Sequence, residues 1–333
     1  MNIHRLLGRR TALAAACVLG IASFGVASAR AADPVTIRIG YPSPAGGPHA
    51  AGATGFEEEL ERLAPGRFKV QHFPGGSLGG EREMIESVQF GTLSMAILGT
   101  AVVGNFVPEM MVADMPFLFR DYDHARKVMD GPIGKDLLDK FRGRGIVGLT
   151  FGEIGFRHLT DNKRAIKSVD DLKGLKIRTM ENPVHLAAFR ALGAMPTPMS
   201  WTEVITGLQQ GTIDGQENPI SIIIASKLWE TQKYVTLSRH VFTPIAFIMA
   251  PAVYDKLSPA DQEIVRKAAI AGRMNNRAYV DEAERNGVEE LRKRGMEVVT
   301  EVDAAEFQKR LEPVFKQYGA RFGKLLTEIG DQR

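Results

Sequence analysis

A single cysteine, Cys17, occurs in 333 residues, and it falls inside an apolar N-terminal run. Beyond that run the chain has no disulfide framework, no thiol nucleophile and no thiolate metal site. The seven histidines, His4, His49, His72, His124, His158, His185 and His240, include no pair at ligand spacing, so no metal centre is expected. The glycines of PGGSLGGERE (74–83) match neither G-x-x-x-x-G-K-[ST] nor G-x-G-x-x-G, and they read as a turn leading into a helix at Glu81. No carboxylate pair is marked for acid–base work, so no catalytic residue and no cofactor is proposed. There is no repeat of 20 to 50 residues and no low-complexity segment.

The N-terminus carries the strongest local signal. Arg5, Arg9 and Arg10 precede the apolar TALAAACVLGIASFGVASA, and Ala29-Arg30-Ala31 supplies an A-x-A site, which together predict a secretory leader over 1–31. An N-terminal membrane anchor is the alternative, and Arg9-Arg10 leaves twin-arginine export open beside the general route. Cys17 follows three alanines as in a lipoprotein site, but the apolar run continues well past it. Removing 31 of 333 residues leaves 302, enough for one large or two ordinary domains. The leader's four arginines account for the basic balance, because +3 less four is −1. Nucleic-acid binding therefore has no electrostatic support.

In the mature chain, VTIRIGY, RFKVQHF, MAILGT, GIVGLTF, LKIRTM and FIMAPAVY read as strands separated by helical patterns, the alternation of an α/β fold. Phe56, Leu60 and Leu63 recur at helical spacing, as do Met84, Ile85 and Val88 before a stop at Gly91. Ser200-Trp201-Thr202-Glu203 has capping-box spacing, and Ser258-Pro259 opens a further helix. From Ser258 to about Arg294 only Gly272 and Gly287 interrupt the pattern, which predicts one long helix or a broken pair.

Two arginines stand at the edges of segments expected to be buried: Arg157 in GEIGFRHLT and Arg178 in LKIRTM. A buried guanidinium needs a carboxylate, which can be internal or belong to a ligand. GTIDGQENP (211–219) reads by composition as a surface turn or strand end, although Gln216 and Asn218 can both donate and accept hydrogen bonds.

In their order and spacing, GGSLGGEREMIESVQFGTLSMAI, ADMPFLF, GFRHLTDNKRAIKSVDDLKGLKIRT, LGAMPTPMSWTEVITGLQQGTIDGQENP and YDKLSPADQEIV resemble the DctP-type substrate-binding proteins of tripartite ATP-independent periplasmic (TRAP) transporters. The resemblance covers essentially all of the mature chain. It implies an α/β, two-lobe periplasmic-binding-protein fold of type II kind, with hinge strands and a long helix spanning both lobes. Lobe I would comprise 32–154 plus about 243–282, and lobe II 155–242 plus about 283–333.

It also implies a monomeric periplasmic receptor, not an enzyme, that delivers a small organic anion to the membrane subunits of a TRAP transporter. By motif position, Arg178 would pair with the substrate carboxylate, assisted by Arg157 and Asn218. Trp201 would wall the pocket, and Gln216, Glu181, His49 and Tyr41 are further lining candidates. Glu181 stands where the sialic-acid binders carry asparagine, and Gly99 replaces one of their acidic residues, which argues against sialic acid. A carboxylate at Glu181 would repel a second carboxylate and accept hydrogen bonds from hydroxyl or amino groups, and a hydroxylated monocarboxylate such as a sugar acid or hydroxy acid is expected. The alternatives are a C4-dicarboxylate receptor, an ABC or signalling receptor on the same scaffold, and a periplasmic enzyme acting on a carboxylate.

Overall fold

The computed structural model describes residues 33–332. The expected leader, its arginine pair, its cleavage site and Cys17 lie outside the described residues. Among the described residues ten strands form: β1 (Val35–Gly40), β2 (Phe68–Phe73), β3 (Met95–Gly99), β4 (Val147–Asp161), β5 (Lys176–Thr179), β6 (Met195–Pro198), β7 (Gly215–Pro219), β8 (Tyr234–Thr236), β9 (Phe242–Met249) and β10 (Glu297–Val299). The hydrogen-bonded path runs β2-β1-β3-β9-β4-β7-β5-β6, with β8 beside β4 and β10 beside β8.

Parallel pairs dominate each end of this path, β1 with β2 and β3, and β5 with β6 and β7. Strand β4 joins the two ends. Its first part pairs antiparallel with β9 as far as Phe156, and from Arg157 onward it pairs with β7 and β8. The change of partner follows a bulge between Glu153 and Gly155, where Gly155 takes φ +110°. A side chain at that conformation would be strained, and a Cβ there would meet the Tyr122 hydroxyl at 2.5 Å. The result is a two-lobe arrangement with Arg157 at the crossing.

The helical patterns hold. Phe56 and Leu60 are buried in the helix Pro48–Leu63, and Met84, Ile85 and Val88 are buried in Glu81–Phe90, which Gly91 ends in the left-handed conformation at φ +76°. The stretch from Pro259 to Lys293 is one continuous helix of 35 residues, not a broken pair, and Ser258 Oγ accepts the Asp261 N–H at 3.1 Å at its start. Near one end, its Val265, Ala268 and Ala269 pack with Phe56, Leu60 and Phe247. Near the other, its Leu291 packs with Val204, Ile223 and Val235. Each large apolar side chain buried this way contributes about 1.5–3 kcal/mol, so the helix is anchored to both lobes. Among the described residues no helix is long and apolar enough to cross a membrane.

Three local expectations are corrected. FIMAPAVY is not a strand throughout: β9 stops at Met249, and Pro251–Tyr254 forms a helical turn because proline has no N–H for the ladder. Ser200 does precede the helix Trp201–Gln209, but it makes no capping hydrogen bond and contacts the Thr202 hydroxyl at 3.1 Å instead. The polar GQENP is neither a surface turn nor a strand end: it is β7, buried throughout between β4 and β5.

Candidate functional site

The carboxyl ends of parallel strands, where an α/β sheet leaves a crevice, meet here around a cavity of about 30 Å³, room for roughly two water molecules. One wall is built from Pro42 and Ser43 after β1, His49, Glu81 and Gly99. The other comes from Arg178 and Met180 at β5, Trp201 and Asn218. Ile154 and Arg157 enter from the crossing strand β4, and Ile222 closes the lining.

Strand β5 has neighbours on both edges and is covered on both faces, so Ile177, Arg178 and Thr179 are all buried instead of alternating between core and solvent. Arg178 Nε and Nη2 donate to the Met199 carbonyl at 2.9 and 2.7 Å, and the guanidinium lies 5.5 Å from the Trp201 ring centroid. Among the described residues no carboxylate comes within ion-pair distance of it. Burial pulls this guanidinium down to about 10, with Arg157 adding to the effect and the charges of Glu217, Glu81 and Glu181 opposing it from beyond ion-pair distance. A guanidinium carries five N–H donors, so Nη1 and the second hydrogen of Nη2 remain as an end-on fork.

Arg157 differs. It is fully buried and forms the internal ion pair that Arg178 lacks: Nε and Nη2 both donate to the Glu217 carboxylate, the latter at 2.8 Å. Nη2 also reaches Asn218 Oδ1 at 3.2 Å, and Nη1 reaches the Thr243 hydroxyl at 3.3 Å. Burial works to raise the Glu217 pKa, but the charge of Arg157 and the hydrogen bond with His240 at 3.2 Å outweigh it and hold the carboxyl well below its usual range.

Asn218 Nδ2 donates to Gln216, whose own amide donates to the Thr160 hydroxyl at 2.9 Å. Gln216 therefore stands behind Asn218 and does not line the cavity. Tyr41 and Glu181 do not line it either. The Tyr41 hydroxyl is turned to His72 Nδ1 at 3.3 Å, and the Glu181 backbone carbonyl accepts from Asn105 at 2.7 Å. His49 does line the cavity: burial pushes its imidazole down to about 3, so it is neutral, and its Nδ1 is buried without a partner.

The carboxylate that lines the cavity is Glu81, which sequence reasoning missed as a site residue. Acidic residues are ordinary in the first turn of a helix, where they meet the dipole, so nothing in GGERE marks this one. Ser43, Met180 and Ile222 were missed for the same reason, as their residue types carry no chemical signal.

Two further spacings are matched without the structure their chemistry needs. Gly75 to Gly79 spells G-x-S-x-G, but among the described residues no histidine is hydrogen-bonded to Ser77. Gly143 to Gly148 spells G-x-G-x-x-G, but it leads out of the helix Pro132–Arg142 into β4, the reverse of the strand-to-helix order that cradles a dinucleotide.

Residues 39–321 match the model of the DctP family, described as bacterial extracellular solute-binding protein, family 7. Among similar solved structures, a TRAP periplasmic solute-binding protein from a Polaromonas species, bound to D-erythronate, is 46% identical with a TM-score of 0.88, covering 90% of this chain and 99% of its own. A second, from Bordetella bronchispeptica, with density interpreted as pantoate, is 48% identical with a TM-score of 0.88 and the same coverage. A third, from Sulfurospirillum deleyianum with bound succinate, is 30% identical with a TM-score of 0.85, covering 90% of this chain and 99% of its own. Family and neighbours alike are solute-binding receptors and not enzymes. With matched residues, fold and cleft in agreement, the chain belongs to family 7 of the bacterial extracellular solute-binding proteins, the DctP family of TRAP-type receptors.

Proposed function

We propose that this receptor works in the periplasm, as a monomer, and delivers a short hydroxylated monocarboxylate to the membrane subunits of a TRAP transporter. The observation that carries the reading is Arg178, a buried cation with no carboxylate partner among the described residues. Burying an unpaired charge costs several kcal/mol, and a ligand carboxylate on its free end-on fork would remove that cost. Asn218 would add its second amide N–H, Arg157 its Nη1, and Trp201 an aromatic wall. D-erythronate and pantoate, carried by the Polaromonas and Bordetella neighbours, are both hydroxylated four-carbon-chain monocarboxylates. A C4-dicarboxylate is the second reading, favoured by the succinate of the Sulfurospirillum neighbour. The change of partner along β4 at Phe156 and Arg157 fits a lobe boundary near 154–155.

Calorimetry on the parent and on Arg178→Ala with D-erythronate and pantoate tests this. The parent is expected to bind at least one of them, and the variant to lose roughly 2–5 kcal/mol, because a desolvated anion would be left unpaired. Binding by the variant within a factor of three of the parent would make Arg178 a structural residue. A parent that binds succinate and neither hydroxy acid would establish the second reading.

A further inference from the structure

The side chains that would hold a ligand are closed off from solvent: Arg178 is 2% exposed, His49 3% and Asn218 4%. A solute reaches them only if a seam around the cavity parts, and the seams differ in what holds them. Beyond β5 the seam is bonded. Asn105 donates to the Glu181 carbonyl at 2.7 Å, and Asn182 Nδ2 donates to the Ala101 carbonyl at 2.8 Å and to Asp114 Oδ2 at 2.9 Å.

A second seam lies between the glycine turn 74–80 and residues 199–202. These segments follow β2 and β6, the first and last strands of the hydrogen-bonded path, so they meet only because the two ends of that path come together beside the cavity. Among the described residues no hydrogen bond or ion pair joins them. They touch through bare backbone instead: a Cβ on Gly76 would lie 2.5 Å from Thr202 Cγ2, and one on Gly80 would lie 2.5 Å from Ser200 Oγ and 3.5 Å from Ser200 Cβ. Each segment is fixed on its own side. The Gly75 and Gly76 N–H groups donate to the Ser43 and Tyr41 carbonyls at 2.8 and 3.1 Å, and the Met199 carbonyl accepts both bonds from Arg178.

We propose that these two segments are the gate of the cleft, lips that part to admit a solute and close flush because Gly76 and Gly80 carry no side chain. Close approach is what these glycines, which match no phosphate-binding spacing, provide. A contact without hydrogen bonds costs little to open, so a ligand that binds the closed form better can set the balance. Arg178 couples the two events, since the guanidinium with the free fork also holds the Met199 carbonyl, next to Ser200. That coupling rests on the reading that a ligand carboxylate occupies Arg178, whereas the gate itself does not.

No cysteine follows Cys17, so a pair placed at the gate has no competitor beyond the leader. In Gly80→Cys/Ser200→Cys the Cβ atoms would stand 3.5 Å apart, within the span of a disulfide. Oxidised without ligand, the pair is expected to lose its free thiols and to bind D-erythronate and pantoate at least tenfold more slowly, with dithiothreitol restoring the rate. Gly76→Ala should raise the dissociation rate of the same acids at least fivefold, and Thr202→Ser, which removes the facing methyl, should recover most of it. Gly75→Ala controls for backbone strain, being also at positive φ but with nothing within 4 Å of its Cβ, and should stay within twofold of the parent.

A cysteine pair that remains reduced overturns the gate, and so does an oxidised pair that binds as fast as the reduced one. Gly75→Ala matching Gly76→Ala, with no recovery by Thr202→Ser, assigns the effect to strain and overturns the role of Gly76. If the parent binds neither acid, the ligand class of the preceding section fails. The gate is then judged by scattering on the ligand-free pair: oxidation should shrink the radius of gyration, and an unchanged radius overturns it. If the cysteine pair does not fold, the Gly76→Ala and Thr202→Ser rates decide.

Discussion

Arg157 and Arg178 carry the same charge at similar burial, yet Arg157 is tied to Glu217 and Arg178 to a single backbone carbonyl. Glu217 is the internal counter-ion of the site, and it is fully buried. Glu217→Gln would leave Arg157 charged and unpaired in the interior, which should cost about 3–5 kcal/mol of stability. Because the carboxyl is held below its ordinary pKa in the fold, its contribution is fully present above the unfolded value near 4.3 and is lost as pH falls through the folded value. Thermal melts from pH 7 down to pH 3 should show the parent losing its advantage over Glu217→Gln as the pH falls. A variant as stable as the parent at pH 7 would mean that Arg157 has another partner.

At one helix–helix contact a glycine permits the close approach. Gly272 faces the helix Pro48–Leu63 so closely that a Cβ would lie 2.5 Å from the Gly52 carbonyl oxygen and 3.2 Å from the Phe56 Cβ. Replacing this glycine by alanine has two opposed effects. Helix propensity gains about 1 kcal/mol, while overpacking in a close-packed contact costs about 1–3 kcal/mol. Backbone oxygen cannot swing aside as a side chain can, so the second effect should win and Gly272→Ala should melt below the parent. A higher melting temperature would show that the two helices can separate without loss. This helix was legible in the sequence, as one helix or a broken pair, because its Ser-Pro start and the lack of any internal proline are local signals. Strand β7 was not, since Gln216, Glu217 and Asn218 look like a solvated turn until partners on β4 and β8–β9 satisfy them.

The molecule's two lobes are connected through few segments. Strand β4 crosses at Phe156 and Arg157, and the link from β8 to β9 returns through Arg239, which holds φ +46° and donates its N–H to His158 Nδ1 at 3.3 Å. Phe117, at φ +52°, donates to the His240 carbonyl at 2.9 Å beside it. Residues held at positive φ cost about 1–3 kcal/mol each, and their grouping at this link fits a hinge that the rest of the fold constrains. Saturating ligand should therefore close the lobes and shrink the radius of gyration. It should also stabilise the fold by about 4 kcal/mol at a thousand times the dissociation constant. Superimposable small-angle scattering profiles with and without a ligand that raises the melting temperature would exclude closure.

What the sequence determined by itself was whatever depends on local spacing and on the order of motifs: the α/β alternation, the helix limits, the family, and Arg178, Arg157 and Asn218 as site candidates. The tertiary structure alone decided which of two like arginines is already paired, because Glu217 reaches Arg157 only through strands that pair 60 residues apart. It also decided which carboxylate faces the cavity. Glu181, three residues after Arg178, does not line the cavity although its charge reaches both Arg178 and Glu81, whereas Glu81, a hundred residues before Glu181, lines it beside Gly99. Adjacency along a chain places neighbouring side chains in different directions, and only the packing of distant elements sets which charges share a cavity.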